Sequence, residues 1–326
     1  MKKYILFKVL LSTIIFQSVV FAGPKWPMVL MEHQMMSEAV VIFHEDFLPP
    51  KLIELKGSNG EIIKKKTKVK NPFGIPCCIH EVTFKNLNSS TAYDLNISGL
   101  SKKLWFKTAG NLGKVFLGGD SRSDSSMRRK INKTMAKYLE KNPNTYALVH
   151  GGDYVENGFS WRQWDSWLND YQLTTTGSGR LLPIIPIRGN HEYLSFYFNH
   201  LFSRPSDKIF RNYYTTYWDD LRFIHLNTNL SHRGRQKEWL CKELEAQSKE
   251  AKWIIPNYHR PAYPAVKKPG EARRSWVPLF EKYQVDVVFE SDGHVYKKTA
   301  PIYKEKVNLT KGIRYLGEGG LGVPLR

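Results

Sequence analysis

The sequence predicts an α/β protein in which a layered α/β domain follows a small all-β sandwich. Between residues 23 and 110, short segments alternate apolar and polar side chains, as antiparallel strands with one buried face do. Between residues 111 and 326, apolar segments alternate with amphipathic ones, which is typical of a layered α/β domain. The stretch TAGNLG at 108–113 is the predicted linker between the two parts.

The small sandwich is predicted from four segments with the period of a strand. In AYDLNI, for example, Tyr93, Leu95 and Ile97 share one face. Turn-forming residues such as NLNSST separate the segments. The four predicted strands are AVVIFH (39–44), HEVTF (80–84), AYDLNI (92–97) and KLWFKT (103–108).

The layered part is predicted from six apolar segments, and every one of them finishes on a polar or glycine-rich turn. Segments of this kind are typical of buried strands. The six are KVFLGGD (114–120), YALVHGGD (146–153), LPIIPIRGN (182–190), RFIHLN (222–227), WIIPNYH (253–259) and VDVVFESD (285–292).

Two helices are predicted from side chains that recur with helical spacing. The second carries a run of aromatic residues, which we interpret as core or interdomain packing and not as a platform for sugars. The stripes are Met127, Ile131, Met135, Tyr138 and Leu139 in the first helix, and Trp161, Trp164, Trp167, Leu168 and Tyr171 in the second.

Residues 1–22 are predicted to be a secretory signal peptide. Lys2 and Lys3 precede a mostly apolar run that reaches small residues at Ala22. Lys8 and Gln17 interrupt the run, which argues against a membrane span. We therefore expect cleavage near Ala22, a secreted or periplasmic mature protein, and no transmembrane span after cleavage.

The composition is that of a globular and strongly basic chain. Its 326 residues are 41% hydrophobic, enough for one large domain or two ordinary ones. The formal net charge is +19, and loss of the three lysines in the signal segment leaves +16. This charge favours anionic partners, or it reflects a solvated lysine-rich surface. Three cysteines are too few for a disulfide scaffold.

Polar residues at five strand ends are the candidates for chemistry. Each end delivers Asp, Asn or His, and these oxygen and nitrogen ligands suit divalent or trivalent transition ions. No single motif is specific, and their joint order is the signal. The five motifs are GGDSRSD (118–124), GGDYVENG (151–158), RGNHE (188–192), NYHRP (257–261) and ESDGH (290–294).

The last motif has two interpretations by itself. Asp292 and His294 are two positions apart, so on an extended segment they project to the same side. They are either a solvated turn or half of a metal site.

The order of the motifs resembles that of the calcineurin-like metallophosphoesterases, and within them the purple acid phosphatases. The most specific single element is GNHE at 189–192. The resemblance extends to the N-terminal part, where VTFKNLNSSTAYDLNI and LWFKT look like strands of a fibronectin-III-like domain. It implies a signal peptide at 1–22, a fibronectin-III-like β domain at 23–110 and a calcineurin-like metallophosphoesterase domain at 111–326. The fold that it implies for the last domain is a layered β-sandwich flanked by helices.

The resemblance also implies two divalent or trivalent metal ions, of Fe, Zn or Mn. Laid without gaps on VVFESDGHVYKKTAPI, the two histidines of the family's last motif fall on Asp292 and His294. A carboxylate in place of an imidazole keeps a good metal ligand and adds negative charge. One ion would be held by Asp120, Asp153 and His294, and the other by Asp153, Asn190, His259 and Asp292.

Two positions depart from the family pattern. Where the purple enzymes carry a tyrosine three residues after the bridging aspartate, this chain has Glu156, a candidate oxygen ligand. Tyr154 is one residue after Asp153 and should point elsewhere. Where the wider family has Asp-x-His, the chain has Asp120-Ser121-Arg122. Without the tyrosinate, no purple charge-transfer colour is expected.

The reaction that the resemblance implies is two-metal hydrolysis of a phosphate ester. His191 would protonate the leaving oxygen or hydrogen-bond the phosphate, and Glu192 would orient it.

The candidate substrate-binding residues are Arg122, Arg273 and Arg274. Lys267 and Lys268 are further candidates for phosphate binding, although a solvated basic loop is the favoured interpretation for this pair.

The leading functional hypothesis is an exported binuclear phosphatase that acts on phosphomonoesters, with a small phosphorylated molecule as its partner. One alternative is a phosphodiesterase or nucleotide hydrolase on the same scaffold. The other is a degenerate protein that binds phosphate or a polyanion without turnover. The chain carries no recognised nucleic-acid motif, so no specific nucleic acid is expected.

Overall fold

The computed structural model describes residues 23–46, 48–76, 78–202, 212–317 and 319–326. The predicted signal segment, residues 1–22, lies outside them. In this described part, no helix is both long enough and apolar enough to cross a membrane.

The N-terminal part contains eight strands, and four of them coincide with the predicted segments. Side chains alternate along them as expected: in AYDLNI, Tyr93, Leu95 and Ile97 are buried. The strands are β1 (Lys25–Leu30), β2 (Ala39–His44), β3 (Leu52–Gly57), β4 (Ile62–Lys66), β5 (Lys68–Lys70), β6 (Ile79–Phe84), β7 (Ala92–Ile97) and β8 (Leu104–Lys107).

These strands form a sandwich with a shared apolar core. One sheet has the order β4-β3-β7-β8, and the facing strands follow the order β5-β6-β2-β1. Inward residues of both sheets, including Phe43, Leu55, Phe84 and Phe106, lie in one buried cluster. Burial of such side chains against each other is what stabilises two stacked sheets. The prediction of a small all-β sandwich is confirmed.

The layered part adds eleven strands and six helices among the described residues. The strands are β9 (Lys114–Gly118), β10 (Thr145–His150), β11 (Ile184–Pro186), β12 (Tyr214–Trp218), β13 (Leu221–His225), β14 (Trp253–Tyr258), β15 (Val287–Glu290), β16 (Lys297–Lys298), β17 (Ile302–Tyr303), β18 (Lys306–Val307) and β19 (Arg314–Gly317). The helices are α1 (Ser125–Lys141), α2 (Trp161–Tyr171), α3 (Phe196–Leu201), α4 (Arg235–Glu250), α5 (Ala272–Ser275) and α6 (Val277–Lys282).

The first sheet of the layered part is continuous with the N-terminal sandwich. Its order is β5-β6-β2-β1-β11-β10-β9, and β1 pairs in parallel with β11 through Leu30 and Ile184. Strands from both sides of residue 110 therefore share one hydrogen-bonded sheet. The division into domains at that residue stays a prediction.

The second sheet of the layered part has the order β12-β13-β14-β15-β19-β16. Side chains from β10 and β11 share a buried cluster with side chains from β12, β13 and β14. A second cluster joins the other face of the first sheet to α1, α2 and α3, and a third joins the second sheet to α4, α5 and α6. The resulting order of layers is helix, sheet, sheet, helix, as predicted.

The stripe predicted for α1 is only partly right. Met135 and Leu139 are buried, but the exposed fractions of Met127 and Tyr138 are 41% and 39%. The buried face instead includes Arg128, whose Nε and Nη2 donate to Asp170 Oδ2 of α2 at 2.9 and 2.5 Å. A buried ion pair has replaced apolar contact, which helical periodicity alone does not reveal.

The aromatic stripe of α2 is confirmed as core. Trp164, Trp167, Leu168 and Tyr171 are buried, and Trp161 is half-buried at the edge. The aromatic rings therefore fix α2 against the first sheet.

The two sheets bring their strand ends to one place. β9, β10 and β11 are parallel neighbours in the first sheet, and β14 and β15 are parallel neighbours in the second. Parallel strands finish at the same edge of a sheet, so the turns after these five strands meet between the layers. Those turns carry the predicted ligands.

Candidate metal centre

Four predicted ligands lie in tight turns just past β9, β10 and β15. Asp120, Asp153, Asp292 and His294 are buried and have φ angles of 56°, 57°, 70° and 59°. This left-handed backbone costs a residue with a side chain roughly 1–3 kcal/mol, so surrounding contacts must impose it. The Asp120 N–H donates to the Gly152 carbonyl at 2.8 Å, and the Asp292 N–H donates to Asp120 Oδ2 at 2.9 Å.

The prediction that Asp292 and His294 lie on an extended segment is wrong. β15 ends at Glu290, and both residues lie in the following turn, not on an extended segment. They still face one neighbour, since the Asp292 N–H bonds Asp120 and His294 Nε2 lies 3.3 Å from Asp120 Oδ1. A turn, and not strand periodicity, brings them to the same site.

Glycine is needed where two of these turns touch. Gly152 has a φ of 100°, and a Cβ built there would lie 2.4 Å from the Gly189 nitrogen. A Cβ on Gly189 would lie 2.2 Å from both the nitrogen and Oδ1 of Asp153. No larger residue fits without moving backbone, so glycine allows the GGD turn to contact the GNHE turn.

His259 lies at the centre of the ligands predicted for the second metal ion. Its side chain is fully buried, and its Nδ1–H donates to the Gly151 carbonyl at 2.8 Å. Its Nε2 then faces three oxygens: Asn190 Oδ1 at 3.1 Å, Asp153 Oδ1 at 3.2 Å and Asp292 Oδ1 at 3.7 Å. One imidazole nitrogen surrounded by three oxygens is a donor set suited to a cation.

The charges around His259 oppose the effect of burial on the pKa values of His259 and Asp153. Burial lowers the pKa of His259, but the carboxylates, Asp153 first, outweigh it and raise that pKa to about 10. For Asp153, burial raises the pKa, and His259 and His191 outweigh it and hold that pKa well below its ordinary value. Positive charge is therefore strongly favoured at this position.

The ligands predicted for the first metal ion include buried polar atoms that make no hydrogen bond to any described residue. These atoms are Asp120 Oδ1, Asp153 Oδ2 and His294 Nε2. Burying such atoms without a partner is costly. All three belong to the residues predicted to hold the first metal ion, and two carboxylates with one imidazole are ligands that divalent ions accept. The residues present therefore fit a metal ion.

The ligands predicted for the two metal ions form one cluster. One ligand atom each from Asp120, Asp153, His259 and Asp292 lie within 4.8 Å of one another, and all four residues are buried. Asn190 and His294 join it through the contacts described above. The structure thus brings six of the seven predicted metal ligands together.

Glu156 is the seventh. It is half exposed, and its Oε2 accepts hydrogen bonds from Arg122 Nη1 and, at 3.0 Å, from Ser123 Oγ. Burial raises its pKa, and the bonds from Arg122 and Ser123 outweigh burial and lower it. Its role as a metal ligand stays a prediction, and in this structure its carboxylate is paired with arginine.

Arg122 and His191 border the cluster. Arg122 Nε lies 3.4 Å from Asp153 Oδ2. The His191 Nδ1–H donates to the Glu156 carbonyl at 2.6 Å, and its Nε2 lies 3.7 Å from Asp153 Oδ2. The hydrogen bond at Nδ1 fixes the ring so that Nε2 faces the cluster.

Glu192 is predicted to orient His191, and in the structure it contacts the backbone of two turns. Its carboxylate accepts backbone N–H groups from Asp153 at 2.9 Å, Tyr154 at 2.8 Å, Val155 at 3.3 Å and Gly189 at 3.1 Å. Burial and the charge of Asp153 raise its pKa to about 8, although the backbone N–H groups lower it. In this geometry Glu192 ties the GNHE turn to the turn of Asp153.

The two arginines of α5 have other neighbours. Arg273 Nε donates to Glu305 Oε1 at 3.0 Å, and its guanidinium lies over the ring of Tyr263. Arg274, near the end of α5, is exposed. Substrate binding by this pair stays a prediction.

A family model described as calcineurin-like phosphoesterase matches residues 123–296, more than half of the chain. The chain belongs to the calcineurin-like phosphoesterase family. Among curated relatives, the purple acid phosphatase of Glycine max is 27% identical to this chain in an alignment of 269 residues, which covers 72% of the chain and 56% of that protein. Purple acid phosphatase 1 of Ipomoea batatas is 26% identical over 71% of the chain and 54% of its own length. The chain thus spans about half the length of these relatives.

Solved structures confirm the fold of this calcineurin-like phosphoesterase. Purple acid phosphatase PPD1 from yellow lupin seeds superimposes with a TM-score of 0.79 at 19% identity, covering 93% of the chain and 66% of that structure. A dimetal phosphatase from Danio rerio gives a TM-score of 0.50 at 12% identity, covering 66% and 90%. The predicted resemblance to purple acid phosphatases is confirmed.

Lys267, for which the sequence favoured a solvated basic loop, lies at the ligand cluster. Its Nζ donates to Asp292 Oδ1, inside the ligand cluster. The sequence showed only two adjacent lysines in a basic loop, which is most often solvated. A signal was present, since a carboxylate at a ligand position favours a nearby cation.

Proposed function

We propose that this chain is a metal-dependent phosphatase that hydrolyses phosphomonoesters. The observation that carries the proposal is the buried cluster of Asp120, Asp153, His259 and Asp292, which the strand ends of two sheets bring within 4.8 Å. Buried carboxylates are costly unless a cation compensates them. Membership of the calcineurin-like phosphoesterase family and the likeness to purple acid phosphatases support the same reaction class.

Two ions would be held by this chain's own residues in the predicted division. Asp120 and His294 would hold one, His259, Asn190 and Asp292 the other, and Asp153 would bridge them. Ions held there supply the Lewis acidity that activates a water molecule and binds phosphoryl oxygens. Fe, Zn and Mn all accept this mixture of carboxylate, amide and imidazole ligands.

Arg122 and His191 would act on the substrate. The guanidinium of Arg122 lies beside Asp153 and presents N–H donors that suit phosphate oxygens. His191 Nε2 faces the cluster, where a proton can pass to the leaving oxygen as the ester bond breaks. Glu192 contributes as a positioning residue, because its carboxylate accepts the backbone N–H groups of both Asp153 and Gly189.

The exported location belongs to the same proposal. Its support is the sequence of residues 1–22, with two initial lysines, an apolar run and small residues near Ala22. Cleavage there places the mature phosphatase in the periplasm or outside the cell.

A second candidate is a phosphate-binding protein without turnover. Its support is that Arg122 and Lys267 contact the carboxylates of Asp153 and Asp292 directly and so supply positive charge from within the chain. This candidate predicts that Asp153→Asn leaves function intact, whereas a phosphatase loses turnover.

The experiment is metal analysis by mass spectrometry with phosphatase assays on the purified protein. About two ions per chain, with turnover of p-nitrophenyl phosphate lost on chelation and restored by metal, is the expected result. Asp153→Asn should abolish both ion retention and turnover. Faster turnover of the bis(p-nitrophenyl) ester would identify a phosphodiesterase instead. No turnover after reconstitution with Fe, Zn or Mn would reject the phosphatase.

A further inference from the structure

The loop between β14 and α5 carries a lysine into the ligand cluster. Lys267 Nζ donates to Asp292 Oδ1, the same oxygen that lies 3.7 Å from His259 Nε2. The side chain of Asp292 is 12% exposed and that of Lys267 is 31% exposed, so this ion pair is largely shielded from water. It differs from the usual pairs at a protein surface, which are weak.

The loop that presents Lys267 is anchored to the second sheet. The Ala262 N–H donates to Glu290 Oε1 at 2.6 Å, and Lys297 Nζ donates to the Tyr263 carbonyl at 2.8 Å. The Gly270 N–H donates to the Pro261 carbonyl at 2.9 Å and closes the loop on itself. These bonds hold the backbone on both sides of Lys267, and the loop held in this way directs the Lys267 ammonium toward Asp292.

We infer that Lys267 is an internal counter-ion that competes with the second metal ion for Asp292. The inference rests on the proposed metal-dependent function and adds a control on ion affinity. While Asp292 Oδ1 accepts a hydrogen bond from the ammonium, its negative charge is shared between Lys267 and any incoming ion. Entry of an ion at His259, Asn190 and Asp292 therefore brings two positive charges close together, and it weakens or breaks the bond to Lys267.

The consequence is a second ion position that fills less readily than the first. At the first position, with Asp120 and His294, Arg122 Nε lies 3.4 Å from Asp153 Oδ2, but neither atom makes a hydrogen bond among the described residues. A hydrogen bond to a charged group contributes enough that its loss should change ion affinity roughly 10- to 100-fold. Lys267 thereby makes occupancy of the second position depend on ambient metal concentration.

The experiment is calorimetric titration of the metal-free full chain with Mn²⁺ or Zn²⁺. Lys267→Met should leave the tighter ion unchanged and bind the weaker ion about 10- to 100-fold more tightly. Lys268→Met is the matched control, because Lys268 is the neighbouring exposed lysine, and its titration should equal that of the wild type. Lys267→Arg keeps the charge and should also retain weak binding. If Lys267→Met does not fold, Lys267→Gln is used in its place.

Equal or weaker binding of the second ion in the neutral variant would overturn the inference. An equal gain in Lys268→Met would also overturn it, since net charge and not the Asp292 contact would then be responsible. If wild type and variant bind two ions with the same affinities, only the counter-ion role fails. If neither binds any ion, the proposed metal-dependent function fails with it.

Discussion

Replacement of His191 tests whether its imidazole donates a proton to the leaving group. The Nδ1–H bond to the Glu156 carbonyl holds the ring, and Nε2 faces the cluster. His191→Asn keeps an amide near the position of Nδ1, so it can retain the bond to Glu156 while Nε2 is removed. His191→Gln places an amide near Nε2, which can hydrogen-bond a phosphate oxygen but cannot release a proton.

The size of the effect follows from the position of the ring. A positioned general acid contributes about 10²–10⁴-fold to the rate. The side chain of His191 is 23% exposed, so water can partly take over the proton transfer. We therefore expect a loss near the lower end, about 10²–10³-fold in kcat, for alkyl phosphates. For p-nitrophenyl phosphate, whose leaving group departs without a proton, the loss should stay below about tenfold.

The assay compares kcat for an alkyl phosphate and for p-nitrophenyl phosphate in the wild type and both variants. Metal content is measured in parallel, because Asp153 lies close to His191 and a loss of ions would lower both rates together. With ions retained, the two substrates should separate in both variants.

An equal loss with both substrates would refute proton donation by His191. If His191→Gln restored full activity on the alkyl phosphate, the histidine would act only as a hydrogen-bond donor to the phosphate. The geometry around Glu156 would then serve binding and not proton transfer.

Three further predictions concern residues that support the site. The carboxylate of Glu192 accepts backbone N–H groups on both oxygens, so Glu192→Gln must turn its amide N–H toward at least one of them. Thermal and chemical denaturation should therefore show a loss of about 2–4 kcal/mol in the free energy of unfolding. Metal analysis should show a loss of ions, and the pH profile of kcat should not shift. Asp170→Asn leaves buried Arg128 without its charge partner and should cost about 3–5 kcal/mol in denaturant, whereas the double variant Arg128→Met/Asp170→Leu should recover most of it. Burial lowers the pKa of His44 to about 3, whereas the pKa in the unfolded chain is about 6.5. The unfolding free energy is therefore unaffected by His44 above pH 6.5 and falls as the pH drops below that value. His44→Phe should make this decline between pH 6.5 and 5 smaller by about 2 kcal/mol. An unchanged slope of stability against pH in that variant would contradict the assignment.

The strands and the motif order could be read from the sequence because they depend on local rules. AYDLNI alternates with the period of a strand, and β7 occupies those six residues. GNHE follows an apolar segment, and its residues lie at a strand end in contact with the Asp153 turn. These signals lie within a few residues of each other, so no knowledge of the partner strands is required.

Helix α1 shows where local rules fail. Its apolar periodicity placed Met127 and Tyr138 on the predicted stripe, but the buried face includes Arg128, which pairs with Asp170, a residue of another helix. A charged residue such as Arg128 becomes a core residue only when such a partner exists. The sequence pattern of one helix contains no information about the other.

The site shows the same limit for individual side chains. The alignment of Asp292 with a ligand position was available from the sequence, and the turn geometry that puts it beside Asp120 was not. Lys267 appeared to be one of two equivalent lysines, yet only the anchored loop aims its ammonium at Asp292. The contact of Arg122 with Glu156 likewise depends on two turns that are 34 residues apart.

The sequence by itself determined the fold class, the order of the predicted strands along the chain and the candidate ligands, because hydrophobic period and motif chemistry are properties of short segments. Only the tertiary structure decided which ligands share a cluster, that strands on both sides of residue 110 form one sheet, and that Lys267 contacts Asp292. Those facts depend on contacts between residues far apart in the chain, and burial between the layers gives these contacts their strength.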